Sequence, residues 1–203
     1  MLEVRGPTLT LRYAEADDAP VLLTLASDPL VTRWFSWGPY TDISGPSDYI
    51  AGLEEKRVKG QLLDFVVVHE EAGPIGVTGL SELAPRDRRA TVGTWFGRAY
   101  WGSGANPESK ALITALAFEH LGLDRLNAWA NTRNGRSQLA LERVGFRREG
   151  VLVGWHRHGD AIHDVVVFGM TRPEWQRSAL REVPAEVGGS APSSFLVADW
   201  TKV

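Results

Sequence analysis

From Pro107 to Leu121 the chain reads PESKALITALAFEHL. At helical spacing its apolar residues Ala111, Leu112, Ile113, Leu116, Ala117 and Leu121 cover most of the girth. A helix apolar on so much of its circumference has to be buried, and a sheet is the surface broad enough to bury it. The flanking sequence agrees. Ala90 to Gly97 (ATVGTWFG) reads as a strand, and Arg125 to Ala130 reads as another. Asn106 is expected as the helix N-cap, Pro107 at its first position and Gly122 as its stop. A strand–helix–strand crossover therefore sits in the middle of the chain.

Around it, Thr8–Tyr13, Leu62–Val68, Ile75–Leu80, Phe146–His156 and Ala161–Met170 read as strands, the last two joined by a turn at Gly159-Asp160. EADDAPVLLTLAS, Ser47–Lys59, Asn134–Val144 and Glu174–Leu180 read as helices, and Asp28–Gly45 as a long loop. The order predicts a mixed α/β (α+β) fold, a single mixed sheet with helices on both faces. Residues 1–180 form the domain. Residues 181–203 are a tail with linker composition (VPAEVGGSAPSS) followed by FLVADW, which is too apolar to be left in water. Phe195–Trp200 is expected to dock on the domain or on a second copy, so a homodimer stays open.

A length of 203 residues fits one domain. A net charge of −3 implies no general attraction to nucleic acid or an anionic membrane. The absence of cysteine excludes disulfides, cysteine nucleophiles and cysteine metal sites and fits a cytoplasmic protein. The N-terminus has no apolar signal-like run, and no apolar run is long enough to span a bilayer. Of the eight tryptophans, Trp34 and Trp37 fall in the long loop rather than in a regular element.

Two segments carry chemistry. In YWGSGANP, Gly102 and Gly104 let the backbone curl without Cβ clashes just before a helix N-terminus, which is how main-chain amides come to face an anion. The loop fits neither familiar nucleotide motif. A P-loop would end in Gly-Lys-Ser/Thr, and a dinucleotide fingerprint would need a third glycine where Pro107 stands. A plain glycine turn explains it equally well at this point. The second segment is NTRNGRSQLALERVGF, Asn131 to Phe146, where Ser137 shares the apolar helix face with Ala140, Leu141 and Val144. Asn134 and Ser137 are good helix-start residues in any case. The five arginines from Arg133 to Arg148 form either a solvated face or a local attraction for an anionic ligand.

Together, GTWF, YWGSGAN with its buried helix, NxxSxxxLxxxGF at Asn134–Phe146, REGVL, and HDVVVF followed by EW resemble the GNAT N-acetyltransferase superfamily, in particular its RimJ/RimL-like branch. The resemblance spans Leu9 to Leu180. It implies a splayed seven-stranded sheet that binds acetyl-CoA as co-substrate. It also implies the pyrophosphate on Trp101, Gly102, Ser103, Gly104, Ala105 and Asn106, and the pantetheine arm along Thr94, Trp95, Phe96 and Gly97. Asn134 and Ser137 then approach the thiol. The sequence departs from the broad family pattern at Trp101, where Gln or Arg is usual, and at Asn106, where Gly or Ala is usual. Leu141 stands where many relatives carry an acidic tyrosine, and Ser137 is the implied replacement as catalytic acid.

Transfer of an acetyl group to an amine needs a neutral amine, donors for the oxyanion and a proton for the thiolate. A strand amide near Trp95 would serve the oxyanion if Gly93 distorts the ladder. Glu82, His156, His158, His163 and Asp164 are candidate bases. The acceptor, a protein N-terminus or a small amine, would pass Trp34, Phe35 and Trp37. WHRHGDAIHD, with His156 able to face His163, also has a metal-site look, but no metal is expected. A non-catalytic acyl-CoA-binding domain and a transferase of longer acyl groups such as succinyl are the alternatives.

Overall fold

The computed structural model describes residues 1–197, so the docking expected of Ala198–Trp200 lies outside the described residues. The chain begins with β1 (Glu3–Arg5), β2 (Leu9–Arg12), α1 (Ala19–Ala26), α2 (Pro29–Thr32) and α3 (Ser44–Val58). Next come β3 (Leu62–His69), β4 (Gly73–Ala84), β5 (Arg89–Phe96) and α4 (Ala105–Ala115), which runs on as a π-helical turn over Leu116–His120. Then follow β6 (Arg125–Asn131), α5 (Gly135–Arg143), β7 (Arg147–His158), β8 (Ala161–Thr171), α6 (Arg172–Gln176) and β9 (Glu186–Gly188).

All nine described strands join one mixed sheet in the order β7-β8-β6-β5-β4-β3-β2-β1-β9. The sheet has two more strands than the seven expected. β1 and β9 are three residues each, and β9 lies inside the segment whose composition suggested a linker. They pair with each other, so neither needs a sequence signal of its own.

Strand alternation separates two cores. Leu63, Phe65 and Val67 point to the face covered by α4, where Ser109 to Phe118 are all buried. Asp64 and Val66 point the other way, toward α3, whose Tyr49 hydroxyl donates to Asp64 Oδ2 at 2.8 Å. Burial pushes the Asp64 carboxyl up to about 6. The folded protein therefore holds a proton there that the unfolded chain gives up near pH 4. This group's contribution to stability is complete below that pH and is lost as pH rises through about 6. Asp64→Asn, which keeps an acceptor for Tyr49, is expected to remove that component. The urea-midpoint difference between wild type and variant should move in the variant's favour between pH 4.5 and 7. A difference that stays constant would contradict this assignment.

Several element boundaries differ from those expected. The long loop contains α2, and α3 starts at Ser44. The brief last helix is α6, followed by a 3-10 turn at Ala179–Glu182. The buried helix starts at Ala105, with Gly104 as its N-cap in a left-handed conformation (φ 95°). Asn106 is thus in the first turn and does not cap. The tail is tied down as far as it is described. Phe195 is fully buried in the α4-side core, Ser194 Oγ donates to the Arg57 carbonyl, and Val197 N donates to the Leu121 carbonyl at 3.1 Å.

Among the described strands β5 and β6 form the only parallel pair, and they pair only at Arg89–Arg125, Ala90–Leu126 and Thr91–Asn127. Beyond that point β4 holds β5 as far as Phe96, while β8 holds β6 as far as Asn131. The two half-sheets part, and a slot opens between them toward the start of α4.

Candidate active site

The slot has unpaired main chain along one wall. From Val92 to Phe96, the β5 groups that point away from β4 have no strand partner among the described residues. Gly93 does not distort the ladder, because it pairs in register with Gly79. A Cβ on Gly93 would meet nothing within 4 Å, so the surface above it is open.

At the mouth of the slot, Gly102 (φ 80°) and Gly104 (φ 95°) are both left-handed and exposed, with open space where a Cβ would go. Only glycine adopts such backbone freely. Ser103 Oγ donates to the Tyr100 carbonyl at 2.9 Å and accepts from Ala105 N at 3.3 Å, which fixes the curl. The first-turn amides of α4 have no intrahelical partners and face outward at the positive end of the helix. This shape suits a diphosphate. Trp101 is part of the wall: its Nε1 donates to the Phe96 carbonyl at 2.9 Å, and the Arg136 guanidinium lies 3.4 Å over its ring. Arg136, from the first turn of α5, thereby brings a cation to the position where the family pattern has Gln or Arg. Of the other arginines in this run, Arg147 pairs with Glu149 and Glu174, and Arg148 with Glu142.

On the opposite wall, Asn134 caps α5, its Oδ1 accepting from Ser137 N at 3.2 Å. Gln138 Nε2 donates to the carbonyls of Asn131 and Thr132, pinning the helix to the end of β6. Ser137 is half-buried, and its hydroxyl has no hydrogen-bond partner among the described residues. Leu141 is buried in the core and cannot act as an acid.

Arg89 and Thr91 of β5 border a cleft of about 260 Å³, lined also by Glu82, Asn127, Trp129 and Trp155; Trp95 lies further along the same face of the strand. Phe35 stacks on Trp37 at 5.1 Å, and Trp37 meets Tyr40 at 5.4 Å and Trp95 at 5.6 Å. Trp34 is not in this cluster; Arg33 lies over its ring.

The candidate bases separate. Glu82 sits at an irregularity in β4 with left-handed backbone (φ 51°), and its carboxylate accepts from Thr91 Oγ1 at 2.6 Å beside the cleft. Strained backbone of this kind often marks functional positions. Asp164 is occupied by a bulge, accepting from Gly154 N at 2.8 Å. His156 faces His163 across the hairpin as expected, but its ring packs on Trp129 with a buried, unpartnered Nδ1. Burial, then His158 and His163, holds its pKa below the usual histidine value. Among the described residues no three His, Asp or Glu side chains gather as a metal site, and no helix is long and apolar enough to cross a membrane.

Lys110 escaped the sequence reading. It is only 3 % exposed, in α4, and its Nζ donates to Thr94 Oγ1. The signal was present: a lysine inside the stretch of helix expected to be buried.

The comparisons say to which class of protein this fold and slot belong. The model of the acetyltransferase (GNAT) domain matches residues 8–147, and the chain belongs to the GNAT acetyltransferase family. An uncharacterized N-acetyltransferase, p20, of Bacillus licheniformis is 32% identical over 168 residues, which are 82% of this chain and 94% of p20. Mycobacterium smegmatis RimJ in complex with CoA-disulfide superposes with a TM-score of 0.77 at 22% identity, covering 88% of this chain and 90% of RimJ. The microcin C7 self-immunity acetyltransferase MccE, in complex with acetyl-CoA and AMP, gives 0.73 at 19% identity over 82% and 93%. These two likenesses are likenesses of fold. The RimJ/RimL-like resemblance seen in the sequence meets a RimJ structure here.

Proposed function

We propose that the chain moves the acetyl group of acetyl-CoA to a primary amine by direct attack, with donor and acceptor bound together. The observation that carries this is the slot itself: a one-sided run of free strand main chain ending at a glycine cradle on a helix N-terminus. In this reading the pantetheine arm pairs along Thr94–Gly97, the diphosphate lies on Trp101–Asn106, and the thioester reaches the level of Asn134 and Ser137. Residues 1–180 form the catalytic domain with the tail docked on it, and the setting is cytoplasmic.

The acceptor enters from the opposite face, past Phe35, Trp37 and Trp95 toward Glu82. Aromatic faces and a carboxylate suit a cationic amine. Among such amines a protein α-amine needs the least help. Such an amine titrates near 8, against about 10.4 for lysine, so less work is needed to present it neutral. Glu82 takes the amine proton, directly or through water, and Ser137 gives a proton to the departing thiolate.

Thiol release from acetyl-CoA with a panel of N-terminal peptides, polyamines and amino acid derivatives tests the proposal, with succinyl-CoA as a second donor. Turnover confined to succinyl-CoA would reassign the donor. Donor binding with no turnover on any amine would make the protein a non-catalytic acyl-CoA binder. Ser137→Ala is expected to lower kcat roughly tenfold or more, with little change in unfolding midpoint. Unchanged kcat would remove Ser137 from the mechanism.

A further inference from the structure

Lys110 is anomalous in this fold. Arg12 is half-buried, and it is met by Asp18 through two contacts of 2.7 and 2.8 Å. Lys110 is more deeply buried and, among the described residues, has no carboxylate in contact and Thr94 Oγ1 as its one hydrogen-bond partner. That oxygen already contacts Thr78 Oγ1 at 2.6 Å and donates to the Gly93 carbonyl at 2.8 Å. With Lys110 its two lone pairs are filled. An ammonium has three N–H donors, so two remain unmatched. Burying a cation this way costs more than burying an apolar side chain of the same volume.

The location says what offsets that cost. Lys110 lies four residues after Asn106, on the same face of α4 and one turn below the glycine cradle. Helical side chains lean toward the N-terminus, which carries its ammonium toward the cradle. Its partner Thr94 belongs to the stretch of β5 that β6 leaves unpaired. An ammonium with two free donors is thus held between the slot wall and the anion-facing end of a helix.

We infer that Lys110 is a binding residue for the diphosphate of the acyl donor, its free N–H groups reaching the phosphate oxygens from below while the first-turn amides hold them from above. This rests on the reading of the slot as an acyl-CoA site and adds to it a side chain that the glycine-loop pattern does not contain. Burial alone draws the Lys110 pKa down to about 7, and an arriving anion would favour the charged form.

Lys110→Met tests it, because methionine has nearly the same length and is apolar. The unliganded variant should unfold at a temperature equal to or above that of wild type, which separates a binding defect from misfolding. Titration calorimetry with CoA is expected to show affinity reduced about 10- to 100-fold. Binding of pantetheine, which lacks the diphosphate, should change less than twofold. In turnover, the loss should appear in KM for acetyl-CoA and not in kcat, and S-acetylpantetheine should be used equally well by both proteins. Unchanged CoA affinity, or an equal loss for CoA and pantetheine, would overturn the inference while leaving the acyl-CoA site standing. Wild-type protein that binds no CoA at all would remove both.

Discussion

Glu82→Gln is expected to lower kcat by about 10²–10⁴-fold while leaving KM for acetyl-CoA within about twofold, the range for loss of a positioned proton acceptor. The substitution is conservative where structure is concerned. A glutamine carbonyl still accepts from Thr91 Oγ1, so the bond at 2.6 Å and the irregularity of β4 that aims residue 82 at the cleft are retained. What glutamine cannot do is take a proton from the incoming ammonium. Glu82 is on β4, apart from the glycine loop, so donor affinity should not follow kcat. Initial rates of thiol release at saturating acceptor measure the effect. A variant within threefold of wild type would return the search for the base to a water chain or to the substrate.

Phe195→Ala should produce the largest loss of stability, about 3–5 kcal/mol, the usual range for emptying a buried phenylalanine site. Phe195 is fully buried in the same core as α4. Its neighbours hold the end of α3 through Arg57 and the end of the α4 helix through Leu121. The segment therefore joins elements on both faces of the sheet. Urea unfolding should show a lower midpoint with an unchanged or smaller slope. A loss below about 1 kcal/mol would mean the segment lies on the domain without supporting it, since emptying a packed aromatic site costs more than that.

The middle of the chain was legible because its signals are local. A girdle of apolar residues, two glycines and a capping asparagine at 134 each act over a few residues, and they placed β5, α4, β6 and α5 in order. What escaped depends on contacts distant in sequence. EVR and EVG are too short to declare themselves strands; EVR is one because it lies between β2 and EVG, and EVG because it finds EVR. The start of α4 moved from Pro107 to Ala105 because the left-handed turn at Gly104 caps the helix, and a glycine does not announce its φ. Trp34 and Trp37 looked alike in the loop, yet only Trp37 reaches Trp95. Glu82 stood out from the other candidate bases only once the irregularity of β4 set it beside Thr91. Lys110 was visible as a cation in an otherwise apolar helix, but how little partner it has could be seen only in three dimensions.

The parting of β5 from β6 has a consequence for variation among such chains. Because main-chain bonds join the two half-sheets at one end only, the width of the opening is set by what is wedged beneath it. Beneath it, Val92 and Phe96 of β5 and the small Ala128 and Ala130 of β6 belong to one buried core with the apolar residues of α4. Gape is thus a question of side-chain volume, adjustable one methyl group at a time without breaking a ladder bond. A lineage could retune the fit of its donor from the core, with every residue that touches the donor left as it is.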